Sequence, residues 1–405
     1  MSELLHGNGD KVESLLKFSM GIVKGENGRE LMDKYGYAIE NVTPRDIVEM
    51  ETRQLALGVS IDAIKETIGK VINVFYKYLK EYPWKRPEPE TFLYELMAEN
   101  RALEAHLAET REAVKQLNKE AEELASPSSE TVVKLRNVID RLFEFEVHYD
   151  KKENVLFPAL EKRWEFPRPL QVMWSIDSDI RKSVRTLREL LALETPVMPE
   201  LNRELGKYYF LAHGMVFKEE LVVYPLATET VPAKEFDELR RASFDLGFAF
   251  IETPECPAEK THADVPAGPD SGMLNLETGT LTQKQLIRML NTLPVDMTLI
   301  DETDTVVYFS NPKDRLFSRS RAVIGRTVQN CHPPESVHMV NKLLEAFRNG
   351  GKNKESFWIT HGSRFVLIQY FAMRDPDGTY RGCLEVSQDA TDIRTLTGEK
   401  RLISE

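Results

Sequence analysis

Apolar residues recur every three to four positions from about Gly9 to Phe248, broken at intervals by Pro, Gly and Asn, a period that predicts an all-helical half. Thr43-Pro44-Arg45-Asp46 reads as an N-cap, a first-turn proline and an acidic third position, and Ser60 offers a second cap just after Gly58. Short helices fill the segment to Tyr82. Pro83, Pro87 and Pro89 then rule out a continuing helix and mark an expected boundary, which ends an N-terminal helical domain at residues 1–85. Four long amphipathic segments follow, over about 91–125, 129–162, 169–193 and 199–228. With short connections they predict an up-down-up-down four-helix bundle within residues 86–252, closed by a last helix over about 233–251.

The pattern changes after that. Pro254, Pro257, Pro266, Gly268, Pro269 and Gly272, with few large apolar residues between them, predict a mobile linker over 253–282. Beyond it come strand-like runs at 297–300, 306–309, 357–360, 365–371 and 383–386, rich in β-branched and aromatic residues. Asp375-Pro376-Asp377-Gly378 supplies a turn between the last two. The expected order is helix, two strands, short helices, a longer helix over about 335–349, then three strands. The fold class is therefore multidomain: an all-α bundle with an N-terminal helical subdomain, plus an α+β domain at 283–396.

Charge and cysteine usage narrow the function. The 405-residue chain carries a formal net charge of −12, with Lys and Arg dispersed among Glu and Asp, so phosphate-tracking basic stripes are missing and no nucleic acid is expected as a partner. Cys256, Cys331 and Cys383 lie far apart and form neither paired CxxC ligands nor an even disulfide framework, which fits a reducing cytoplasm. Residues 1–16 carry Glu3, Asp10 and Glu13 without a long apolar core, so no signal peptide or membrane anchor is expected. No segment reaches the roughly 18 uninterrupted apolar residues of a membrane span.

Two stretches of the bundle resemble each other. His148-Tyr-Asp-Lys-Lys-Glu153-Asn-Val-Leu-Phe-Pro158 and His213-Gly-Met-Val-Phe-Lys-Glu-Glu220-Leu-Val-Val-Tyr-Pro225 each set a His ahead of a Glu, an aliphatic-aromatic pair and a Pro. This pattern resembles the hemerythrin-like (HHE) cation-binding family, and the whole chain is similar to proteins that join such a bundle to an N-terminal helical domain and a PAS domain. The resemblance implies metal ligation by His148 and Glu153 on the second long helix and His213 and Glu220 on the fourth. On the third, Asp177 stands where a His is expected, and no His precedes Glu99-Asn100 on the first. With only His106, His148 and His213 in the bundle, the implied site is mononuclear or carboxylate-rich, using His148, Glu153, Asp177, His213 and Glu220 for iron, manganese or zinc. The alternative is a metal-free bundle in which these histidines are buried and held by neighbouring glutamates such as Glu144. Spacing also separates the pairs: His213 and Glu220 share a helical face, whereas His148 and Glu153 stand about 140° apart on an ideal helix.

Leu293-Pro-Val-Asp-Met-Thr-Leu-Ile-Asp301, followed by Val307-Tyr-Phe-Ser-Asn311, resembles the first hairpin of a PAS domain, and Ile324-Gly325-Arg326 and Asp389-Ala-Thr-Asp-Ile393 match that family too. A PAS fold implies a cavity for a small ligand. Cys331-His332-Pro333-Pro334 lies where some PAS domains place a haem ligand, so Cys331 and His332 are candidate cofactor residues for haem or another small ligand. The alternative has His332 capping a turn and Cys331 packing as a small apolar residue. Phe357, Trp358, Phe365, Tyr370 and Phe371 line the cavity or form ordinary cross-strand pairs.

No nucleophile elbow, phosphate loop or kinase signature is present, so the chain is not expected to be an enzyme unless a metal supplies the chemistry. The leading expectation is a cytoplasmic sensory or signalling protein that binds a small molecule or gas, acts on a separate signalling protein and forms a homodimer. The alternatives are metal-dependent handling of oxygen, nitric oxide or peroxide, and a metal-free interaction scaffold.

Overall fold

The computed structural model describes residues 2–124, 127–193, 195–256, 273–276, 278–317 and 319–399. They belong to two compact units, Met1–Cys256 and Pro257–Glu405. None of the described helices is long and apolar enough to cross a membrane.

The first unit opens with α1 (Ser2–Val23), α2 (Gly28–Glu40), α3 (Pro44–Ala56) and α4 (Ile61–Lys80). Both expected caps form. Thr43 and Asp46 exchange hydrogen bonds across a capping box with Pro44 in the first turn, and the Ser60 hydroxyl accepts from the Ala63 N–H. Four helical rods follow. The first is α5 (Phe92–Leu124). The second runs unbroken from 129 to 161 as α6 (Ser129–Arg141), a 3-10 turn (Leu142–Phe145), α7 (Glu146–Lys151), a π-helical segment (Lys152–Leu156) and α8 (Phe157–Glu161). The third is α9 (Pro169–Ala192), and the fourth joins α10 (Met198–Lys218) through another π segment (Glu219–Val223) to α11 (Tyr224–Thr230). α5 packs on α6 and α10, and α9 on the same two, which closes the bundle. α12 (Ala233–Phe244) stops short of the expected 251, and the chain then turns at Gly247.

The boundary expected at residue 85 does not separate two cores. One apolar core runs from Val12 through Phe75 to Ala249. Polar ties cross it as well: both carboxylate oxygens of buried Glu51 on α3 accept from Lys218 Nζ on α10, at 2.8 and 2.7 Å. Lys65 on α4 reaches Asp179 on α9 at 2.7 Å.

Most of the expected linker, 257–272, lies outside the described residues. Its far end is ordered, since β1 (Met273–Asn275) pairs antiparallel with β2 (Thr280–Thr282), which runs into α13 (Gln283–Thr292). The second unit continues with β3 (Asp296–Ile300), β4 (Val306–Phe309), two 3-10 turns, α14 (Pro334–Arg348), β5 (Lys354–His361), β6 (Arg364–Arg374) and β7 (Tyr380–Asp389). The five strands form an antiparallel sheet in the order β4-β3-β7-β6-β5. The β6–β7 turn is built as its sequence predicts: the Gly378 N–H, at φ 86°, donates to the Asp375 carbonyl at 2.9 Å. Ile300, Val306, Val323, Leu344, Phe347 and Cys383 form the core between the sheet and α14.

Candidate functional site

Both π segments end two residues before a proline. Phe157 N–H donates to the Lys152 carbonyl ahead of Pro158, and Tyr224 N–H donates to the Glu219 carbonyl ahead of Pro225. A proline inside a helix removes one hydrogen bond and crowds the carbonyl four residues back, and an added residue in the turn relieves that crowding. The two segments are related by a shift of 67 residues, which pairs Lys151 with Lys218, Lys152 with Glu219 and Glu153 with Glu220. Under this proline-anchored register Met215, not His213, is the counterpart of His148.

The widened turns aim charged side chains into the bundle. Lys152 is fully buried, its Nζ donating to Asp177 Oδ1 at 2.9 Å and to Glu219 Oε1. Glu219 Oε2 accepts from Asn100 at 2.8 Å, Tyr224 at 3.0 Å and His148 Nε2 at 3.1 Å. The other His148 nitrogen meets Glu99 Oε2 at 2.8 Å, while Glu99 Oε1 accepts from Lys151 and from the Ala249 N–H. All four rods therefore contribute to one polar interior. Burial alone would lower the pKa values of His148 and Lys152, but adjacent carboxylates outweigh it: Glu219 and Glu99 raise that of His148, and Asp177 and Glu219 that of Lys152. Burial would raise the Glu219 carboxyl, yet Lys152 and His148 hold it well below the usual carboxylate range.

Of the five expected metal ligands, the fold brings His148 and Asp177 into this cluster. Glu153 lies beside it, gripped by Arg181 through both oxygens at 2.7 and 3.1 Å. His213 and Glu220 sit elsewhere. His213 is a half-buried imidazole stacked on Tyr209, with ring centroids 6.4 Å apart, and its Nε2 lacks a hydrogen-bond partner. Glu220 faces Glu104 and Arg101. This donor set does not fit a metal as it stands. The point between Asp177 and Glu219 is taken by an ammonium nitrogen, and no group of three His, Cys, Asp or Glu among the described residues is placed to hold a cation. Glu99, Lys151, Lys152 and Glu219 escaped the sequence reading. No local signal marked them, because Lys151 and Lys152 stand in the charged run Asp150-Lys151-Lys152-Glu153-Asn154, which reads as a solvated face until the partners on the other rods are known.

Glu220 yields a prediction of opposite sign from its buried neighbour. Burial, with Glu219 and Glu104 nearby, pushes its pKa up to about 7. Between the ordinary value of 4.5 and about 7 the folded chain holds a proton that the unfolded chain has released, so this group's contribution to stability falls as pH rises through that window. Glu220→Gln should raise the melting temperature at pH 8, and the gain should vanish below about pH 4.5 in thermal melts across pH.

In the second unit a cavity of about 190 Å3 lies between the sheet and α14. Ile300, Val328, Met339, Val340, Leu343 and Phe357 give it an apolar wall, and Arg319, His332, Tyr370 and Glu385 add polar groups. Arg319 approaches Glu385 at 3.7 Å, yet its buried Nε has no hydrogen-bond partner. Burial lowers the His332 pKa, Glu385 opposing and Arg319 and Arg326 reinforcing. Phe357 and Tyr370 meet edge to face at 5.9 Å and line the cavity, but Trp358, Phe365 and Phe371 do not.

Haem does not fit here. The volume is below the ~300 Å3 at which drug-sized ligands begin to be enclosed. Cys331 is not part of the lining: its thiol donates to the Thr327 carbonyl at 3.6 Å and it packs against the apolar core. Cys383 does line the cavity, but burial pushes its thiol up to about 12, so it stays protonated. His332 alone of the two candidate cofactor residues faces the space.

Residues 91–227 match the family model described as the hemerythrin HHE cation binding domain, and residues 286–391 match a PAS domain model. The first match spans the rods that carry Glu99, His148, Asp177 and Glu219, and the second spans the cavity. Among solved structures, a C-terminal domain from Streptococcus mutans is 30% identical over 32% of this chain and 99% of its own, with a TM-score of 0.30. A PAS domain from Colwellia psychrerythraea is 16% identical (27% and 97% covered, TM-score 0.21). A sensory box sensor histidine kinase from Vibrio cholerae is 12% identical (27% and 90% covered, TM-score 0.21). No curated protein matches the chain.

Proposed function

We propose that this chain, which carries a hemerythrin HHE domain over residues 91–227 and a PAS domain over residues 286–391, is a cytoplasmic sensor whose ligand enters the PAS cavity. The cavity of about 190 Å3 is the observation that carries the reading. A 150 Å3 apolar cavity holds benzene, so this one suits a single ring or a short branched chain. The unpartnered Arg319 Nε calls for a hydrogen-bond acceptor on that ligand, and Glu385, 3.7 Å from Arg319 in the same wall, offsets the guanidinium charge and favours an uncharged acceptor. The metal-dependent gas chemistry once implied by the bundle is not part of the reading, because Lys152 holds the position a cation would need. A second copy of the chain is the partner this reading favours: edge strand β5 presents Trp358, 65% exposed, with Phe357 and Ile359 beside it.

The test uses benzoate, benzyl alcohol and toluene as probes in thermal melts of the full chain. Benzyl alcohol, whose oxygen can accept from Arg319 without a charge facing Glu385, should stabilise the second unit most, by about 2.7 kcal/mol at a concentration ~100-fold above its Kd. Val340→Phe, which fills the cavity, should abolish the shift. If none of the three probes moves the melt while Val340→Phe folds normally, the cavity is no ligand site and the sensor reading fails.

A further inference from the structure

A buried ammonium between two carboxylates, beside an imidazole, has the charge and the surroundings of a bound cation. Lys152 Nζ donates to Asp177 and Glu219 from different rods, and all three side chains are within 1% of complete burial. His148 stands on the far oxygen of Glu219 at 3.1 Å. Two further atoms of the same interior have nothing to bind: Asp177 Oδ2 and Asn100 Oδ1 are buried without a hydrogen-bond partner. A fully buried carboxylate oxygen left open is costly, so the interior has more acceptor capacity than the lysine uses.

We propose that the Lys152 ammonium substitutes for a divalent metal ion, and that Asp177, Glu219 and His148 are a latent metal site that opens when this ammonium is removed. Two carboxylates and one imidazole are a mixed N/O donor set, suited to manganese, iron, cobalt or zinc. In the native chain the site is closed because the ammonium fills the space between the two carboxylates, its single charge offsetting one of theirs. Removing the lysine leaves two anionic groups from separate rods facing a space the size of its departed side chain. A divalent cation carries one charge more than the ammonium and so matches both carboxylates, and the second oxygen of Asp177 gains a partner. Asn100 and Tyr224, which donate to Glu219, keep that carboxylate oriented in either state. This proposal is independent of what the PAS cavity binds.

The experiment is cobalt uptake by the full chain, read by visible absorption and by elemental analysis after removal of free metal. The native protein should retain under ~0.1 equivalent, whereas Lys152→Ala should take up about one equivalent, at least a tenfold rise. Adding Asp177→Asn to Lys152→Ala should return uptake to the native level. Near-stoichiometric cobalt on the native chain would overturn the proposal, because the ammonium would then be no substitute. So would a folded Lys152→Ala protein that takes up none. If Lys152→Ala is unfolded in chelated buffer, cobalt should restore its helical circular dichroism; a chain that neither refolds nor retains metal, with Lys152→Gln behaving the same way, also overturns it.

Discussion

Glu219→Ala should lower the stability of the helical unit by about 3–5 kcal/mol, because it removes the acceptor that faces a buried ammonium and a buried imidazole at once. Lys152 would keep only Asp177, His148 only Glu99, and the donors of Asn100 and Tyr224 would lose their acceptor altogether. For a unit of this size the loss corresponds to roughly 6–20 °C in melting temperature. Differential scanning calorimetry of the full chain should show it in the transition of the helical unit, with the second unit's transition in place. The adjacent Glu220→Gln should move the same transition upward at pH 8. A Glu219→Ala protein that melts within about 1 °C of the native chain would mean that the buried charges reorganise freely, and the network would lose its structural meaning.

The second large effect belongs to Gly382→Ala. Gly382 lies on β7 with φ 129°, and a methyl group there would collide with the backbone carbonyl oxygen of Ile300 at the end of β3. The clash is with main chain in the centre of the sheet, so no rotamer change relieves it. An unfavourable backbone angle of about 1–2 kcal/mol adds to an overpacking cost of about 1–3 kcal/mol, for a total of about 2–5 kcal/mol. Gly378→Ala is the comparison, since that glycine also has positive φ, at 86°, but a methyl group meets nothing within 4 Å. Only the angular cost of ~1–2 kcal/mol applies to it. Calorimetry should therefore rank the second unit's transition as native, then Gly378→Ala, then Gly382→Ala. Equal losses would show that the β3–β7 contact yields to the methyl group.

The rods and the sheet were legible because each buries one face, and burial writes its period into the sequence. The caps at Thr43 and Ser60 and the turn at Gly378 could be read for a related reason: their chemistry is local. The charged interior could not. Glu99, Asp177 and Glu219 come from three rods, and nothing in the period of any one rod says which carboxylate meets which lysine. The histidines also misled. Lining up His148 with His213 sets the following prolines two places out of step, while lining up Pro158 with Pro225 superposes the two π segments and puts Lys152 opposite Glu219. The proline was the better marker because it dictates backbone geometry, whereas an imidazole only occupies it. In the second unit, element order was readable from alternation and turn residues, but the cavity's size was not, since volume depends on how α14 settles on the sheet.

A π turn adds a whole residue to the backbone, and helices have no way to hold a fraction of one. The contact between Lys152 and Glu219 is therefore set in integer steps. A one-residue insertion or deletion upstream of either proline would keep every charge in the chain, yet would swing one partner to another side of its rod and silence the pair. Length, as much as composition, is what this interior depends on.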